Sequence, residues 1–357
     1  MEGECLAKVK KKHWYSKVIW SLLFVAIAAV SISVIVSQSR GFTWQGFVEY
    51  LSEASPIYVI SAVLCMLGFI LFEGVSLVYL ARNFGYKENL LDGLAYSASD
   101  IYLSSITPSA TGGQPASAYF MMQSGISGAV ATVILLLNLM MYMLAMVVVG
   151  LLSFILRPSL FMSFSLLSKV LIIAGAAIQV GLVGLFWLLL RKEQILFGFC
   201  NKFLGFLEWL KILKKREKIE KRLESAMVRY RECSKAIAGK HRMVVGAFFF
   251  NLLQRLSLTM VTVFAYLGTG GALSQALDIG ATQCYVYLGS NVIPMPGAIG
   301  VSDYILLDGL GNLVDDYAHL GIFSRALSFY FCVLLCGLIM LISYFAYRTA
   351  HRRKNST

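Results

Sequence analysis

The stretch SSITPSATGGQPASAYF, residues 104–120, contains two prolines, two adjacent glycines and a run of hydroxyl side chains. The sequence on either side of it is typical of membrane helices. Proline removes a backbone hydrogen-bond donor and breaks a helix, and glycine permits backbone conformations that other residues avoid. Because unpaired backbone groups are costly in lipid, such a break is tolerated only where protein or a water-filled cavity surrounds it. The stretch therefore predicts a buried interruption within a membrane-embedded segment.

The composition of the whole chain indicates an integral membrane protein. Of its 357 residues, 58% are hydrophobic and 14% are charged, and the mean hydropathy is +0.72. Soluble domains are about 45–50% apolar and about 25% charged. The formal net charge is +12, but the basic residues cluster in short segments beside apolar spans. We therefore attribute the charge to membrane topology and contact with anionic lipid, and we expect no nucleic-acid partner.

Six apolar runs are long enough to form complete transmembrane helices, which need about 20 residues each. These runs are 18–37, 57–81, 127–154, 166–190, 243–268 and 322–347. Two further apolar segments, 93–122 and 274–311, are interrupted at TPSATGG and at PMPGAIG. The predicted fold is therefore an all-α polytopic membrane protein.

The distribution of basic residues predicts the path of the chain. Lysine and arginine accumulate in the N-terminal segment, in 191–242 and in the C-terminal tail, so these parts should be cytoplasmic. Counting spans between them makes 93–122 begin and end inside, and 274–311 begin and end outside. Interrupted segments at corresponding places in two halves are typical of transporter binding sites. We therefore predict two oppositely oriented re-entrant helical hairpins in an inverted-repeat-like arrangement; the alternative is a kinked complete span at each interruption.

The predicted organisation has two membrane halves joined by a basic insert. The first half is 1–190, the insert is 191–242, the second half is 243–348, and 349–357 is a basic cytoplasmic tail. The insert has apolar positions at helical spacing, which predicts amphipathic helices on the inner membrane surface, in contact with anionic lipid or a cytoplasmic partner. A solvated charged linker helix is the open alternative.

Ionisable residues within apolar segments are candidates for function because they are costly to bury in lipid. Glu73 lies deep in the second span, Asp100 precedes the first interruption, and Asp303 follows the second. Arg255 lies near the middle of the span 243–268. Its guanidinium must either bind an anionic ligand such as phosphate or pair with one of the three carboxylates. The sequence leaves these two alternatives open.

The two interruptions also contain groups that bind anions. A helix that begins at Gly113 or Gly300 would present backbone N–H groups and a partial positive charge to a ligand. Such a pattern fits an anionic head group at mid-membrane. The predicted substrate-binding residues are Arg255, Asp100, Glu73, Thr107, Pro108, Thr111, Gly112, Gly113, Gln114, Asn138, Pro294, Pro296, Gly297, Gly300 and Asp303. The sequence has no Walker motif, zinc-ligand spacing or Ser/His/Asp arrangement, so we expect no catalytic residue, metal or cofactor.

The sequences ITPSATGGQPASAYFM and IPMPGAIGVSDYIL resemble two signatures of the transmembrane domain of lysylphosphatidylglycerol synthases. The first matches a P-x(3)-GG-x-P pattern, and the second is proline-rich, then glycine-containing, then acidic. The resemblance covers essentially the whole chain. In the full-length synthases this domain is a flippase that moves aminoacylated phosphatidylglycerol to the outer leaflet, and a separate soluble domain transfers lysine from tRNA. This chain ends at Thr357, soon after its last predicted span, so the resemblance implies the flippase-like half alone.

Together, the residues and the resemblance favour a plasma-membrane protein with cytoplasmic termini that passes a lipid between leaflets. The expected lipid is an anionic or aminoacylated phospholipid of the phosphatidylglycerol class, or a lipid-linked precursor. Transport would be passive or coupled to an ion gradient. A second hypothesis is a component of a phosphatidylglycerol lysyltransferase system, working with a separate catalytic partner in resistance to cationic antimicrobial peptides. A third is a non-transporting scaffold, and a homo-oligomer is compatible with all three.

Overall fold

The computed structural model describes residues 43–107, 110–191, 239–290 and 300–354, together with residues 228, 237, 292 and 298. The predicted span 18–37 and nearly all of the basic insert 191–242 lie outside the described residues. Within the described ranges the secondary structure is helical, with no strand. The chain is thus all-α, as the sequence predicted.

Twelve α-helices follow one another in the described part of the chain. In chain order they are α1 (Trp44–Ser52), α2 (Pro56–Asn83), α3 (Leu90–Ile106), α4 (Gly113–Gln123), α5 (Gly128–Leu156), α6 (Pro158–Ser163), α7 (Leu166–Arg191), α8 (His241–Gly268), α9 (Ala276–Gly289), α10 (Val301–Leu310), α11 (Tyr317–Arg325) and α12 (Cys332–Lys354). A 3₁₀ turn (Leu273–Gln275) precedes α9, and a π-helical segment (Ala326–Phe331) joins α11 to α12.

Five helical stretches are long and apolar enough to cross a membrane. They are Pro56–Asn83, Gly128–Leu156, Leu166–Leu190, His241–Gly268 and Tyr317–Thr349. These five correspond to the five predicted spans that fall within the described residues. By contrast, α3, α4, α9 and α10 have 17, 11, 14 and 10 residues. Each is shorter than the roughly 20 residues that a complete span needs.

Helices α2 and α3 approach closely because glycine faces glycine. A Cβ on Gly74 would lie 2.8 Å from the carbonyl oxygen of Gly93, and a Cβ on Gly93 would lie 2.6 Å from that of Gly74. The Ser97 hydroxyl donates a hydrogen bond of 2.7 Å to the carbonyl oxygen of Ile70. Small residues let helices pack in lipid, where apolar burial supplies little driving force. This contact brings Glu73 of α2 next to the helix that carries Asp100.

Helices α3 and α4 pack together as a hairpin, hairpin 1, whose two outer ends lie at the same end of the bundle. The Tyr96 hydroxyl lies 2.6 Å from a carboxylate oxygen of Glu88, before α3, and 2.7 Å from the hydroxyl of Ser124, after α4. The backbone N–H of Ser127 donates to the Tyr86 hydroxyl at 3.4 Å. Hairpin 1 therefore enters and leaves at one end, which we call the Lys87 end.

Helices α9 and α10 form the corresponding hairpin 2, which opens at the other end of α5. Asp278, near the start of α9, pairs with Arg157, which follows the last residue of α5, at 2.8 Å. Asp308, near the end of α10, accepts a hydrogen bond of 2.9 Å from the N–H of Ser165 in the same region. We call this the Asp278 end. Because α5 runs from the Lys87 end to the Asp278 end, the hairpins enter from opposite sides, and neither interruption is a kink in a complete span.

Corresponding elements of the two halves make corresponding contacts. Helices α2 and α8 pack along each other, α3 packs against α12, and α9 packs against α5. Both interruptions have the pattern Pro-x-Ala-x-Gly, and Ala110 and Ala298 both have φ of 53°, which is uncommon for a residue other than glycine. In each case a helix begins three residues later, at Gly113 and Val301. The arrangement is that of an inverted repeat.

Candidate substrate-binding site

Arg255 lies in the interior of the bundle, near the middle of α8, and its side chain is held by aromatic rings. Its guanidinium carbon is 4.2 Å from the ring centre of Tyr142, 5.0 Å from that of Phe69 and 5.4 Å from that of Tyr287. These rings come from α5, α2 and α9. The residue is only 3% exposed. Aromatic faces stabilise a desolvated cation by about 2 kcal/mol, so three helices fix the guanidinium in place.

Arg255 retains unused capacity to bind an anion. Its Nε has no hydrogen-bond partner, and it forms no ion pair with a carboxylate among the described residues. Glu73 lies close enough to interact electrostatically, but its direct hydrogen bond comes from Gln254, whose Nε2 donates to Oε2 at 2.9 Å. The sequence left open whether Arg255 binds an anionic ligand or pairs with a carboxylate. In this conformation it pairs directly with none of the described carboxylates.

Asp100 ties the interior to the tip of hairpin 1. Its Oδ1 accepts a hydrogen bond of 2.9 Å from the Ser104 hydroxyl, and its Oδ2 accepts one of 2.7 Å from Gln114 Nε2. Glu73 of α2 lies close enough to Asp100 to interact with it electrostatically. A Cβ on Gly113 would collide with Asp100 Oδ1 and with Ser104 Oγ. Glycine is therefore required where α4 begins against this carboxylate.

The remaining polar groups of the first interruption stabilise the tip itself. Thr107 Oγ1 donates to the carbonyl oxygen of Leu103 at 2.6 Å and accepts from the N–H of Gly112 at 2.9 Å. The first bond fixes the Thr107 side chain against the last turn of α3, and the second satisfies the N–H of Gly112 just before α4 begins. Thr111 lies in the same turn, and Pro108 lies outside the described residues. Thr107 and Gln114, which were predicted as substrate-binding residues, thus form hydrogen bonds within the hairpin.

At the second interruption a carboxylate occupies the start of the helix. Asp303 Oδ2 accepts a hydrogen bond of 3.1 Å from the N–H of Gly300, and Oδ1 pairs with Arg325 Nε at 3.2 Å. Asp303 was expected as one of three partners for Arg255; it pairs with Arg325 instead. An internal carboxylate here competes with any anionic head group at this helix start. Pro294, Pro296 and Gly297 lie outside the described residues.

Carbonyl groups at the end of α9 accept hydrogen bonds from a neighbouring helix. Gln179 of α7 donates from Nε2 to the carbonyl oxygens of Tyr287 at 3.0 Å and Leu288 at 3.3 Å. These carbonyls belong to the last turn of α9, where intrahelical partners are missing. A Cβ on Gly175 would collide with the carbonyl oxygen of Leu288, so α7 approaches the backbone directly. Protein groups therefore replace water at both interruptions.

Asn138 belongs to a separate polar cluster one helical turn from the acidic residues. Its Oδ1 accepts hydrogen bonds from the Ser76 hydroxyl at 2.6 Å and from Asn251 Nδ2 at 2.9 Å. Ser76 follows Glu73 by three positions, and Asn251 precedes Arg255 by four, so the cluster lies directly along α2 and α8. It joins α2, α5 and α8 through buried hydrogen bonds. Asn138 is thus close to the other predicted residues but bonds to none of them.

Several residues that surround Arg255 and Asp303 in the structure were not predicted from the sequence. Arg325 could have been found, because it is an ionisable residue within the predicted span 322–347. Phe69, Tyr142 and Tyr287 gave no signal, because single aromatic residues are common in membrane helices. No group of three His, Cys, Asp or Glu residues that could hold a metal ion occurs in the described part of the chain. The described site offers one buried guanidinium, two nearby carboxyl groups and amide side chains, a set that can bind a charged head group.

The chain was compared with known protein families and with curated proteins. The family model described as the lysylphosphatidylglycerol synthase TM region matches residues 18–350. A search of curated proteins finds no match. The matched region includes both hairpins and all the residues described above.

Proposed function

The chain belongs to the family of lysylphosphatidylglycerol synthase TM regions, and on this premise we propose that it moves a phospholipid between membrane leaflets. The proposed substrate is an anionic or aminoacylated lipid of the phosphatidylglycerol class, or a lipid-linked precursor with a similar phosphate. The lipid phosphate binds Arg255 between the two hairpins. The acyl chains stay in the surrounding bilayer while the head group crosses.

The observation that carries the proposal is the state of Arg255. A cation at mid-membrane is costly unless it is paired, yet its Nε has no partner and no described carboxylate forms an ion pair with it. Stacking on three rings leaves the edge of the guanidinium available. That edge matches two oxygens of a phosphate diester. A phosphate would supply the missing partner.

The arrangement of the hairpins supports alternating access. Arg255 is held by Phe69 of the first half and by Tyr287 at the end of hairpin 2, while hairpin 1 reaches the same region through Asp100. Rocking of two inverted halves around a central site is a common transport mechanism. Movement of either hairpin would open the site toward one end of the bundle.

Charges at the two ends support an orientation in the plasma membrane. Basic residues accumulate at the Lys87 end: Arg82, Lys87, Lys240, Arg242 and Arg348. Acidic residues accumulate at the Asp278 end: Glu49, Glu53, Asp278, Asp315 and Asp316. We propose that the Lys87 end, and with it both termini, is cytoplasmic. The basic insert 191–242 would then lie against anionic lipid or a cytoplasmic partner.

Leaflet exchange in proteoliposomes tests the proposal. Purified protein is reconstituted with fluorescent phosphatidylglycerol, lysylphosphatidylglycerol or phosphatidylcholine, and exchange is followed by quenching of the outer leaflet. We expect exchange of at least one of the first two lipids, reduced at least about tenfold by Arg255→Ala, because one charge-assisted hydrogen-bonded contact is worth about 1.5–3 kcal/mol. Arg255→Lys should restore it only in part, because lysine lacks the planar fork.

Arg242→Ala is the matched control, since Arg242 is exposed at the Lys87 end and should leave exchange unchanged. Equal exchange by wild type and Arg255→Ala would contradict the proposed role of the guanidinium. Folded protein that moves none of the lipids would contradict the function itself.

A further inference from the structure

Tyr347, near the end of α12, is bonded to both helices of hairpin 1. Its hydroxyl donates a hydrogen bond of 2.6 Å to Asp92 Oδ1, in the first turn of α3, and lies 2.8 Å from the hydroxyl of Ser124, directly after α4. Its ring packs against that of Phe120 on α4, with ring centres 6.0 Å apart. We call Asp92, Ser124 and Tyr347 the Lys87-end latch, because they close hairpin 1 against α12 at that end of the bundle.

The connection between α5 and α7 holds both helices of hairpin 2 in a similar way. At its start, Arg157 Nε pairs with Asp278 Oδ1, in the first turn of α9, at 2.8 Å. At its other end, the N–H of Ser165 donates to Asp308 Oδ2 on α10 at 2.9 Å, and the Ser165 hydroxyl lies 3.2 Å from that of Tyr304, also on α10. We call Arg157, Ser165, Asp278 and Asp308 the Asp278-end latch.

Each latch joins the two halves of the molecule. Hairpin 1 belongs to the first half and Tyr347 to the second, whereas hairpin 2 belongs to the second half and Arg157 and Ser165 to the first. The latches lie at opposite ends of the bundle. If the halves rock against each other, separating them at one end must break the latch at that end and can leave the other latch closed.

The outer ends of both hairpins are only partly covered by protein. Leu91 and Met122, beside the Lys87-end latch, are exposed, and so are Leu273 and Leu277, beside the Asp278-end latch. Apolar packing between helices contributes little in lipid, where the alternative contact is equally apolar. The polar contacts of the latches are therefore important for keeping each hairpin closed against the opposite half.

From these contacts we propose that the two latches are the gates of the transport cycle. Breaking the Lys87-end latch opens the buried site to the Lys87 side, and breaking the Asp278-end latch opens it to the other side. Both are closed in this conformation, in which Arg255 is 3% exposed. The inference rests on the proposed function, because alternating access to one site requires a separate barrier on each side. Tyr347 and Arg157 are positioning residues in this scheme and do not contact the lipid.

Cys284 is a native reporter for opening of the interior. It is buried on α9, and its Sγ lies 3.9 Å from the hydroxyl of Thr259 on α8. Thr259 Oγ1 donates to the carbonyl oxygen of Arg255, one helical turn away. In a variant whose only cysteine is Cys284, a membrane-impermeant maleimide reaches the thiol only when a gate opens. The labelling rate is measured separately in right-side-out and inside-out vesicles.

Tyr347→Phe should speed labelling from the Lys87 side at least about fivefold, the effect of losing about one hydrogen bond, and leave the rate from the other side unchanged. Ser124→Ala, which removes a second member of the same latch, should act in the same direction. Asp278→Asn should speed labelling from the Asp278 side alone. Tyr344→Phe and Asp315→Asn are the matched controls, because both side chains are exposed, and they should change neither rate.

The side from which labelling changes separates a gate from a merely structural contact. Faster labelling from both sides would show that the latch variants loosen the whole fold, and an unchanged rate from either side would show that the latches restrict nothing. Either result would overturn the proposed gates and leave the proposed function standing, because the assay moves no lipid. Sided labelling in a protein that exchanges none of the three lipids would instead refute the proposed function and keep the latches as gates to the buried interior.

Discussion

An arginine in the interior of a membrane protein can be accommodated by a carboxylate, by a ligand or by aromatic faces. Arg255 uses the third of these, through Phe69, Tyr142 and Tyr287. Stacking neutralises none of its charge and uses none of its five N–H donors. The guanidinium is therefore well packed, but its positive charge is not balanced by a directly paired carboxylate among the described residues. Under the proposed function an anionic ligand supplies the missing partner of the guanidinium, beside the carboxyl groups of Glu73 and Asp100.

The hydrogen-bonded cluster of Ser76, Asn138 and Asn251 allows a prediction at the scale of single residues. Asn138→Leu should destabilise the fold by about 1–2 kcal/mol, because it removes the acceptor of two buried hydrogen bonds. The change is measured as the loss of thermal stability in detergent. Asn251→Leu alone should cost a similar amount.

Because both substitutions remove the same bond, the double variant should cost less than the sum of the two. Thr132→Val is the matched control on α5, since Thr132 is exposed and bonds only to the carbonyl oxygen of Gly128 in its own helix among the contacts described. Strictly additive losses would show that Asn138 and Asn251 do not act together.

Sequence identifies polar residues in apolar segments better than it identifies their partners. Glu73, Asp100, Asn138 and Arg255 all stood out in this way, and all are buried in the structure. Helical periodicity shows which face a residue occupies, but the neighbour on that face depends on how helices cross. Asp303 was therefore one of three carboxylates considered for Arg255, whereas in the structure it pairs with Arg325.

At the scale of elements, the tip of hairpin 1 is closely packed against the helix that precedes it. Gly113→Ala should lower the free energy of unfolding by about 1–3 kcal/mol, because the added Cβ would collide with Asp100 and Ser104. Since these residues belong to the site, leaflet exchange should fall as well. Both quantities are measured on the same detergent-purified preparation before and after reconstitution.

Gly184→Ala on α7 is the matched control, because nothing lies within 4 Å of a Cβ built there. It should leave stability and exchange unchanged. If Gly113→Ala behaved like Gly184→Ala, hairpin 1 would not be anchored on Asp100.

The positions of the interruptions were predictable because proline and glycine mark them directly in the sequence. The hydrogen bonds made at the interruptions were less predictable. Free N–H groups at helix starts follow from general helix geometry, but Gly300 donates to Asp303, and Thr107 binds the N–H of Gly112. Self-capping of this kind depends on side-chain orientation, which spacing alone does not determine. The π-helical segment that begins after Arg325 likewise gave no signal, although such segments often occur near functional sites.

At the scale of the whole molecule, the account depends on the opposite entry of the two hairpins. Counting charges predicted this path, since only re-entrant segments place every basic segment on one side. The structure confirms it through contacts at both ends, with Tyr96 joining Glu88 to Ser124 at one end and Arg157 joining Asp278 at the other. Under the proposed function, such an inverted arrangement would open the central site to either leaflet in turn.

Sided labelling of single cysteines tests this arrangement most directly. In a variant whose native cysteines are replaced, the exposed positions Lys87 and Gly128 flank hairpin 1, and the exposed positions Ser274 and Asp315 flank hairpin 2. Each is changed to cysteine in turn and treated with a membrane-impermeant maleimide in sealed vesicles. We predict that the Lys87→Cys and Gly128→Cys variants are labelled from one side and the Ser274→Cys and Asp315→Cys variants from the other. Labelling of the two flanks of one hairpin from opposite sides would make that hairpin a complete span and contradict the account.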